Sequence, residues 1–296
     1  MASTSFSNHS DDGYNSGDNT SLKFKLETQN QIESTPKVQN STKPLLTLKQ
    51  LYSVRTVLSE TANGKVYAGV SRHSHQQVVI KKVPKSNKNV YNEIILTRTA
   101  HKTAPENILP ILYVEESQNS VVYVQPMFGK SLYDFMSDRN QPLSEWEAKH
   151  VFKQVSNTLL SLQKQNLFHL DVKEENILID PVTLNIKLID FGCAVQNAYP
   201  TSFTGSIEFA SPELYMEDVP KKSIRKMDVW SFGVSLFSAM TGQTPYDKIE
   251  QVFYDGLSID TTGMSDELIA VLRVCLMANF KKRASFDEVV QMQFFN

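Results

Sequence analysis

The chain has 296 residues and a formal net charge of -2, with 30 Lys and Arg against 32 Asp and Glu. This near-neutral balance gives no general attraction to nucleic acid or to an anionic membrane surface, and we expect neither as a partner. A hydrophobic content of 41% and an aromatic content of 10% are typical of a globular protein with a sizeable core.

Cysteine content and the first residues bear on the compartment. Cys193 and Cys275 are the two cysteines and lie far apart, which favours reduced thiols over a disulfide framework. The first residues, MASTSFSNHS, lack a basic region followed by an apolar stretch, so no secretory signal is expected. No stretch is long and apolar enough to span a bilayer. We therefore expect an intracellular protein, in the cytoplasm, the nucleus or both.

Residues 1–47 are rich in Ser, Thr, Asn, Asp and Gln, and their few apolar residues show no period. Such a segment cannot bury enough apolar surface to offset the conformational entropy that ordering would cost. We therefore predict a disordered tail over residues 1–47, followed by a folded domain over residues 48–296.

After the tail, the sequence predicts a small lobe of short antiparallel strands with one helix. Turn residues separate runs that are rich in β-branched and aromatic residues, which is the usual pattern of strands. The predicted strands are 54–57, 64–70, 77–83, 108–115 and 120–125, and the predicted helix is 90–99.

A longer helical lobe follows Gly129. Its first predicted helix, 144–165, has apolar residues at helical spacing, with Ser144 as the N-cap and Glu147 as its capping-box partner. Further elements are a strand or loop over 168–178 and 186–189, and helices over 226–240, 249–256, 265–277 and 285–293. The predicted fold class is α+β with two lobes, about 48–125 and 130–296, and a hinge over about 125–129. The cleft between them is the natural place for a ligand.

The stretch FHLDVKEENIL, residues 168–178, places a small charge cluster between apolar residues. Asp171 can accept a proton from a hydroxyl nucleophile, and Lys173 can neutralise charge that develops on a phosphate. Asn176 offers an oxygen ligand for a hard metal ion, and Asp190 in the later segment LIDFG offers a second. A base beside two hard oxygen ligands predicts phosphoryl transfer from a triphosphate with Mg²⁺.

In this order and spacing, the residues resemble the motifs of the eukaryotic protein kinase family, and the resemblance covers most of the chain after residue 50. HLDVKEEN is similar to the catalytic loop His-Arg-Asp-x-x-x-x-Asn, and DFG is unaltered. VVIKK resembles the third-strand motif, with Lys81 as its lysine and Glu93 as the ion-pair partner. The remaining matches are SPE to Ala-Pro-Glu, KMDVWSFGV to the central helix with a buried Asp228, and Arg283 to the arginine that pairs with Glu213.

The resemblance implies a bilobal kinase fold and a serine/threonine protein kinase that uses ATP and Mg²⁺. Asp171 would be the catalytic base, with Lys173 stabilising the transferred phosphoryl group. Lys173 and the hydroxyl of Ser206 are typical of the serine/threonine branch. The implied metal ligands are Asn176 and Asp190, and the implied ATP-binding residues are Ser59, Gly64, Val66, Lys81, Glu93, Met127 and Leu178.

The glycine-rich loop departs from the family pattern, because it reads SETANGKV over residues 59–66. Only Gly64 matches, and Ser59 and Thr61 stand where the family has its first two glycines. Glycine permits a close approach of the backbone to the phosphates. We therefore expect weakened ATP binding rather than none.

Leu170 is a second departure, because it replaces the arginine that in the family reads a phosphorylated activation loop. A leucine side chain cannot bind a phosphate. We therefore expect activity that does not require phosphorylation of Thr201, Ser202 or Thr204. Cys193, directly after DFG, either faces the nucleotide cleft or is a small buried residue, and the sequence leaves both open.

The adenine of ATP is expected between Val66, a residue of the third strand, and Leu178. Its edge would meet the backbone near residues 126–128, which include Met127. Either Gln125 or Val124 would guard the pocket behind the adenine, and the sequence does not choose between them.

The acidic pair Glu174 and Glu175 bears on the protein substrate. In the family, the position of Glu175 often meets a basic residue upstream of the phosphorylated hydroxyl. We therefore expect protein substrates with basic residues N-terminal to the target Ser or Thr. A solvated acidic pair without a substrate role agrees with the sequence equally well, and the oligomeric state is left open.

Two other functions stay open on the sequence. A pseudokinase that acts as a binding module or scaffold would account for the altered glycine-rich loop, and a small-molecule kinase would share the same fold. The hinge proline, the missing catalytic-loop arginine and the compact lobes also resemble, loosely, the kinases of large DNA viruses such as herpesviruses. A viral protein that acts in the host cell is therefore one of the alternatives.

Overall fold

The computed structural model describes residues 46–61, 64–198, 205–216, 221–246 and 259–296. Leu45–Asn296 forms one compact unit. The predicted tail lies outside the described residues apart from its last two positions, and the predicted helix over 249–256 lies wholly outside them. No helix in the described part of the chain combines the length and apolar character that a membrane crossing needs.

The N-terminal lobe is an antiparallel sheet, with five strands among the described residues. The strands are β1 (Tyr52–Thr61), β2 (Gly64–Ser71), β3 (Gln77–Pro84), β4 (Tyr113–Glu116) and β5 (Ser120–Pro126), and the short helix α1 (Leu48–Leu51) precedes them. Their order across the sheet is β1-β2-β3-β5-β4. The central position of β3 and β5 matters for the site, because their inward-facing residues lie deepest in the lobe.

The sheet has two apolar faces, and the helix α2 (Val90–Thr103) covers one of them. Val83 and Tyr123 on this face pack against Val90 and Ile94 of the helix. Successive residues of a strand point to opposite faces, so Lys81 of β3 lies on the helix side as well. The opposite face is formed by Val78, Ile80, Val122 and Val124, with Leu48, Tyr52, Tyr67 and Tyr113 packed against them.

The strand predicted over 108–115 is largely wrong, because β4 begins only at Tyr113. Pro110 lies inside the predicted run and has no backbone N–H to donate to a neighbouring strand. Ile108 instead forms a single parallel bridge to Leu188 in the other lobe. This bridge joins the chain between α2 and β4 to the segment that precedes Asp190.

The C-terminal lobe is built on α4 (Glu145–Lys164) and α5 (Ile224–Thr241). Ser144 caps α4 in the predicted capping box with Glu147. The rings of Phe152, Phe232 and Phe286 meet edge to face in the core, with centroid distances of 5.5 and 5.6 Å. The other helices described in this lobe are α3 (Leu132–Arg139), α6 (Asp266–Cys275) and α7 (Phe286–Val289).

Two helices differ from the sequence prediction. The helix α3 was not predicted, because its eight residues bury only Leu132 and Phe135 and so show little period. The helix predicted over 285–293 is wrong beyond Val289, where the chain turns and ends in a 3₁₀ segment over Gln293–Phe295. Burial of Phe294 and Phe295 in the core decides this path, which a helix-spaced pattern does not reveal.

Short strands hold the segments that carry the candidate site. One small sheet pairs β6 (Lys130–Ser131), β8 (Ile177–Ile179) and β9 (Ile186–Leu188). Another pairs β7 (Leu167–Phe168) with β10 (Val195–Gln196). The charge cluster therefore follows β7 directly, and the DFG segment follows β9. Both strands are paired within the lobe. The predicted α+β fold with two lobes is confirmed.

Candidate active site

The segment that follows β7 is fixed by Asp228 of α5. Asp228 is 1% exposed, and its carboxylate accepts hydrogen bonds from the backbone N–H groups of His169, at 2.9 Å, and Leu170, at 2.7 Å. Burial raises the pKa of Asp228, while His169 and these hydrogen bonds oppose the increase. Leu170 has a φ of 62°, a left-handed conformation that costs about 1–2 kcal/mol outside glycine. The buried carboxylate predicted at Asp228 is confirmed.

Asp171 lies at the centre of the site and is held from three sides. Its Oδ1 accepts the backbone N–H of Ser206 at 2.9 Å, and its Oδ2 accepts the side-chain amide of Asn176 at 2.9 Å. The Nζ of Lys173 lies 3.3 Å from Oδ2. These donors fix the orientation of a carboxylate that is 8% exposed.

Ser206 connects the catalytic loop to the segment before SPE. Lys173 donates from Nζ to the Ser206 hydroxyl over 2.5 Å. The preceding Gly205 has a φ of 120°, and a Cβ there would lie 2.8 Å from the Leu170 carbonyl oxygen and 3.3 Å from Asp171 Oδ1. Only glycine lets the backbone pass this close to the catalytic loop.

In the DFG segment, the phenylalanine is buried and the aspartate is exposed to the cleft. Phe191 is fully buried, with its ring centroid 4.9 Å from that of His169. Asp190 is exposed, has a φ of 65° and accepts the N–H of Gly192 at 3.1 Å. Asn92 of α2 donates to the Ala194 carbonyl at 3.3 Å, so the N-terminal lobe contacts this segment directly.

Lys81 and Glu93 form an ion pair between β3 and α2. The Nζ of Lys81 lies 3.5 Å from Glu93 Oε1, and the hydroxyl of Tyr123 donates to the same oxygen. Burial alone would lower the pKa of Lys81, but Tyr123 and the carboxylates of Glu93 and Asp190 outweigh it, so the pKa is raised. The predicted ion pair is present, with a third member that the sequence prediction lacked.

These side chains line one pocket of about 510 Å³ between the lobes. The pocket brings together residues that are up to 145 positions apart, because Thr61 and Ser206 both line it. The other predicted site residues in its lining are Gly64, Val66, Lys81, Glu93, Asp171, Lys173 and Asp190. Cys193 also lines the pocket and is half-buried, so the cleft-facing alternative is supported.

In the altered glycine-rich loop, the residues on either side of positions 62–63 belong to two paired strands. Ser59 pairs with Val66 and Thr61 pairs with Gly64 across β1 and β2. Gly64 has a φ of 143°, and a Cβ there would lie 2.5 Å from the Lys82 carbonyl oxygen. This glycine is therefore required by the neighbouring strand itself. Ser59 is exposed and does not line the pocket, whereas Thr61 does.

The hinge after β5 differs in detail from the expectation. The Met127 N–H donates to the Gln77 carbonyl at 3.0 Å, so this group belongs to the sheet. A contact of Met127 with adenine would therefore come from its side chain or its carbonyl oxygen. Gln125 faces inward and its amide lies 3.4 Å from the Leu109 carbonyl, while Val124 packs on the opposite face of the sheet. Gln125 therefore faces the same side of the sheet as Lys81, and its place behind the adenine stays a prediction.

Leu178 does not line the pocket between the lobes. It lies in β8 between Ile177 and Ile179, which are fully buried in the core, and is itself half-buried. Because residues of a strand alternate between faces, Leu178 points away from that core. Contact of Leu178 with the adenine stays a prediction.

A second pocket, of about 570 Å³, lies beside the catalytic loop and is lined by both acidic residues of the pair. Glu175 is exposed, whereas Glu174 is 3% exposed and its Oε1 has no hydrogen-bond partner. Burial raises the pKa of Glu174 to about 7, against a hydrogen bond from Ser238 that lowers it. The sequence interpretation emphasised Glu175, but Glu174 is the buried residue of the acidic pair.

Leu170 is part of an apolar cluster where the family has an arginine. Its side chain is 8% exposed and packs with Phe168, Ile224 and Met227, with Leu214 at the edge of the cluster. The segment around SPE therefore meets the catalytic loop through apolar contacts. Positions 201, 202 and 204, whose phosphorylation we expect activity not to require, lie outside the described residues.

The predicted metal ligands fit a magnesium ion that is shared with a phosphate substrate. Asn176 uses its amide nitrogen to bond Asp171, which leaves its oxygen as the ligand atom. Asp190 is an exposed carboxylate that lines the pocket, whereas Asn176 does not line it. Mg²⁺ in proteins commonly takes one or two side-chain oxygens together with phosphate oxygens and water. Within the described residues, no group of three or more His, Cys, Asp or Glu side chains forms an all-protein metal site.

Two features of the site were not found from the sequence. Tyr123 lies in a run of strand residues and carries no motif signal, so its bond to Glu93 becomes visible only in three dimensions. The burial of Glu174 was also missed, because an acidic pair next to a catalytic loop is typical of a solvated surface.

Comparisons with known proteins agree with this geometry. The family model "Protein kinase domain" matches residues 52–295. Serine/threonine-protein kinase PSK2 of Saccharomyces cerevisiae is 29% identical over 259 residues, which are 81% of this chain and 23% of that protein. NUAK family SNF1-like kinase 1 of Mus musculus is 29% identical over 262 residues, which are 84% of this chain and 39% of that protein.

A third relative is similar over most of its own length. Serine/threonine-protein kinase pim-2 of Danio rerio is 26% identical over 261 residues, which are 81% of this chain and 83% of that protein. The chain spans well under half the length of the first two relatives. The similarity to viral kinases stays a prediction. Because the family model matches most of the chain, the chain belongs to the protein kinase domain family.

Proposed function

We propose that the chain is an ATP-dependent serine/threonine protein kinase that transfers the γ-phosphoryl group of ATP to Ser or Thr hydroxyls of proteins. The observation that carries the proposal is the cluster of Asp171, Lys173, Asn176 and Ser206, joined by contacts of 2.5–3.3 Å. The relatives' names support the serine/threonine class.

In the proposed reaction, Asp171 orients the substrate hydroxyl and accepts its proton. Lys173, held by the Ser206 hydroxyl, balances negative charge on the group in transfer. No covalent intermediate with the protein is needed, since positioning and electrostatic stabilisation provide most of the catalysis in this chemistry. The proton leaves the hydroxyl as the new O–P bond forms, and the bond to the ADP oxygen breaks.

Lys81 would contact the α- and β-phosphates, with Glu93 setting the direction of its side chain. Thr61 and Gly64 would approach the phosphates from above. Asp190 and Asn176 would hold Mg²⁺, which neutralises phosphate charge when bound. Because Met127 gives its N–H to the sheet, the hinge contacts to adenine would come from the Pro126 carbonyl and the Phe128 N–H.

The acceptor is proposed to be a protein segment with basic residues before the target hydroxyl. The pocket lined by Glu174 and Glu175 begins three residues from Asp171, and the unpartnered Oε1 of Glu174 suits a guanidinium or ammonium group. Phe209, which follows Ser206, lines the same pocket and offers an apolar surface to the stem of such a side chain.

The domain limits and the compartment are further proposals. We place the kinase domain at residues 48–296, with the tail before it. Neither cysteine is part of a disulfide, and Cys275 is fully buried, which supports an origin in a reducing, intracellular compartment. Imaging of the tagged full chain in cells would test the compartment, and a secreted product would contradict it.

Transfer of labelled γ-phosphate from Mg-ATP to a pool of basic Ser/Thr peptides tests the proposal. The intact chain should transfer phosphate, and Asp171→Asn should abolish transfer while it keeps the fold. Asp138→Asn is the matched control, because Asp138 is an exposed carboxylate whose ion pair with Lys130 lies on the surface. Absence of transfer by the folded wild type would overturn the proposal.

A pseudokinase that binds ATP or a partner without transfer is the second candidate. Ser59 and Thr61 in place of glycines favour it, since they limit the approach of the backbone to phosphates. The complete set of Lys81, Glu93 and Asp190 opposes it, because a pure binding module has no chemical need for their joint arrangement. Thermal stabilisation by Mg-ATP without any transfer would select this candidate.

A further inference from the structure

Tyr123 is a buried polar residue to which the proposed reaction assigns no role. It is 1% exposed, and its hydroxyl donates a hydrogen bond to Glu93 Oε1. This is the same oxygen that lies 3.5 Å from Lys81 Nζ. A strand, a helix and a second strand therefore meet at one carboxylate oxygen.

The ring of Tyr123 is held in place by contacts that do not involve its hydroxyl. In the ladder between β3 and β5, Tyr123 lies directly opposite Lys81. The Lys81 ammonium lies 5.4 Å from the ring centroid, within the range of a cation–π contact. The ring packs with Val83, Val90 and Ile94, so the hydroxyl has little freedom to move.

The hydroxyl acts as a hydrogen-bond donor to a charged group. Burial raises the pKa of Tyr123 above its ordinary value of 10.0, and Glu93 raises it further, while Lys81 opposes the increase. The hydroxyl therefore keeps its proton near neutral pH. A neutral donor buried beside a carboxylate gives a stronger bond than one that is exposed to water.

The ion pair alone leaves the Glu93 carboxylate loosely oriented. Its length of 3.5 Å exceeds the roughly 2.7–2.9 Å of a charge-assisted N–H···O hydrogen bond. The Tyr123 hydroxyl supplies a directional hydrogen bond to this carboxylate. The position of Glu93, and through it that of Lys81, thus depends on the strand β5.

We propose that Tyr123 is a positioning residue for ATP: its hydroxyl holds Glu93, and Glu93 holds Lys81 where the phosphates bind. This inference rests on the proposed function, in which Lys81 contacts the phosphates. The same contact fixes α2. In this helix Asn92, next to Glu93, donates to the Ala194 carbonyl after DFG. Tyr123 thereby couples the phosphate lysine to the helix that contacts the metal-binding segment.

A double-mutant cycle on nucleotide affinity tests the role. Calorimetry with Mg-ATP would be run on the full chain as wild type, Tyr123→Phe, Glu93→Gln and the double variant. Phenylalanine keeps the packing and removes only the hydroxyl. We expect Tyr123→Phe to weaken ATP binding about tenfold, as for loss of a hydrogen bond to a charged group. In the Glu93→Gln background, the same change should weaken binding less than about twofold.

Steady-state kinetics distinguish a positioning role from a purely structural one, because only the positioning role should affect the KM for ATP alone. Tyr123→Phe should raise the KM for ATP and leave the KM for the peptide unchanged, because the peptide does not contact Lys81. Tyr113→Phe is the matched control, since the Tyr113 hydroxyl also bonds a carboxylate, that of Glu115, on the other face of the sheet. This control should change neither KM.

Several outcomes would overturn the inference. Wild-type ATP affinity in Tyr123→Phe would show that the hydroxyl positions nothing. An equal loss of affinity in the Glu93→Gln background would show that the Tyr123 hydroxyl does not act through the Glu93 carboxylate. A wild type that binds Mg-ATP but transfers no phosphate would refute the proposed function alone, because the binding cycle still decides the role of Tyr123. A wild type that binds no ATP would overturn both.

Discussion

Arg283 donates from both terminal nitrogens of its guanidinium to the two carboxylate oxygens of Glu213, each over 2.8 Å. Both side chains are fully buried and lie 70 residues apart in the sequence. Arg283 also donates to the carbonyl oxygens of Met277 and Lys226, so none of this bonding depends on water. The pair, predicted from the sequence, ties the segment after Ser206 to the start of α5 and the end of α6.

Loss of this pair should strongly destabilise the protein. Arg283→Met leaves the Glu213 carboxylate buried without a partner, which costs about 3–5 kcal/mol in comparable pairs. The free energy of unfolding from urea titration measures the effect. Lys130→Met is the control, because its pair with Asp138 is 40% and 62% exposed, and we expect it to cost less than about 1 kcal/mol. Equal stability of the two variants would contradict the structural role of the buried pair.

Gly205 should be required for turnover more than for stability. Gly205→Ala places a Cβ 2.8 Å from the Leu170 carbonyl oxygen, and relief of this clash moves the backbone that bonds Asp171. We expect kcat to fall at least about tenfold. Gly263→Ala is the control, since Gly263 also has a positive φ, of 80°, but has no atom within 4 Å of the added Cβ. It should lower stability slightly and leave kcat unchanged.

The stability of the protein should decrease with rising pH through Glu174. Burial raises its pKa from 4.5 to about 7, so between these values the folded protein keeps a proton that the unfolded chain releases. The stability that this group confers is complete below pH 4.5 and is lost as the pH rises through 7, by about 3 kcal/mol in total. In Glu174→Gln this loss should be absent. Urea titrations at pH 5 and pH 8 measure it, with the exposed Glu175→Gln as the control.

The same group should make recognition of basic peptides depend on pH. Ionised Glu174, favoured above pH 7, attracts an upstream arginine, so the KM of an arginine-containing peptide should be lower at pH 8 than at pH 6. A peptide with alanine in place of the arginine should show no such change. In Glu174→Gln the two peptides should become similar at both pH values. A KM for the arginine peptide that is independent of pH would count against this pocket as its site.

Activity should not depend on phosphorylation of the segment before SPE. Leu170 offers no cation to a phosphate and instead packs with Ile224 and Met227. Replacing Thr201, Ser202 and Thr204 together by alanine should therefore retain most of the activity. Radiolabelled transfer to a peptide measures the rate, and circular dichroism verifies the fold. Complete loss of activity in a folded triple variant would refute the expectation.

Much of the fold was accessible from the sequence because it is encoded locally. The capping box at Ser144, the strand of β3 and the helix α2 are each specified by neighbouring residues. Two predicted elements were wrong, each for an identifiable reason. Pro110 interrupts an apolar run that otherwise reads as a strand, and the end of the chain follows the burial of Phe294 and Phe295 rather than a helical period.

The sequence by itself predicted phosphoryl transfer, because Asp171, Lys173, Asn176 and Asp190 occur in an order and spacing that few other functions require. It also indicated the family and the partners in the pairs Lys81–Glu93 and Arg283–Glu213, since motif spacing carries that information. The sequence did not show where these side chains point or how deeply they are buried, because both depend on atoms from distant segments.

Only the tertiary structure decided which polar groups are buried and what they meet. Glu174 and Glu175 are identical in type and adjacent in sequence, yet one is 3% exposed in a pocket and the other is exposed on the surface. Tyr123 became part of the site because β5 lies beside β3 and beneath α2, which brings its hydroxyl to Glu93. Burial removes competing water, so the packing of three distant segments determines what these side chains can do.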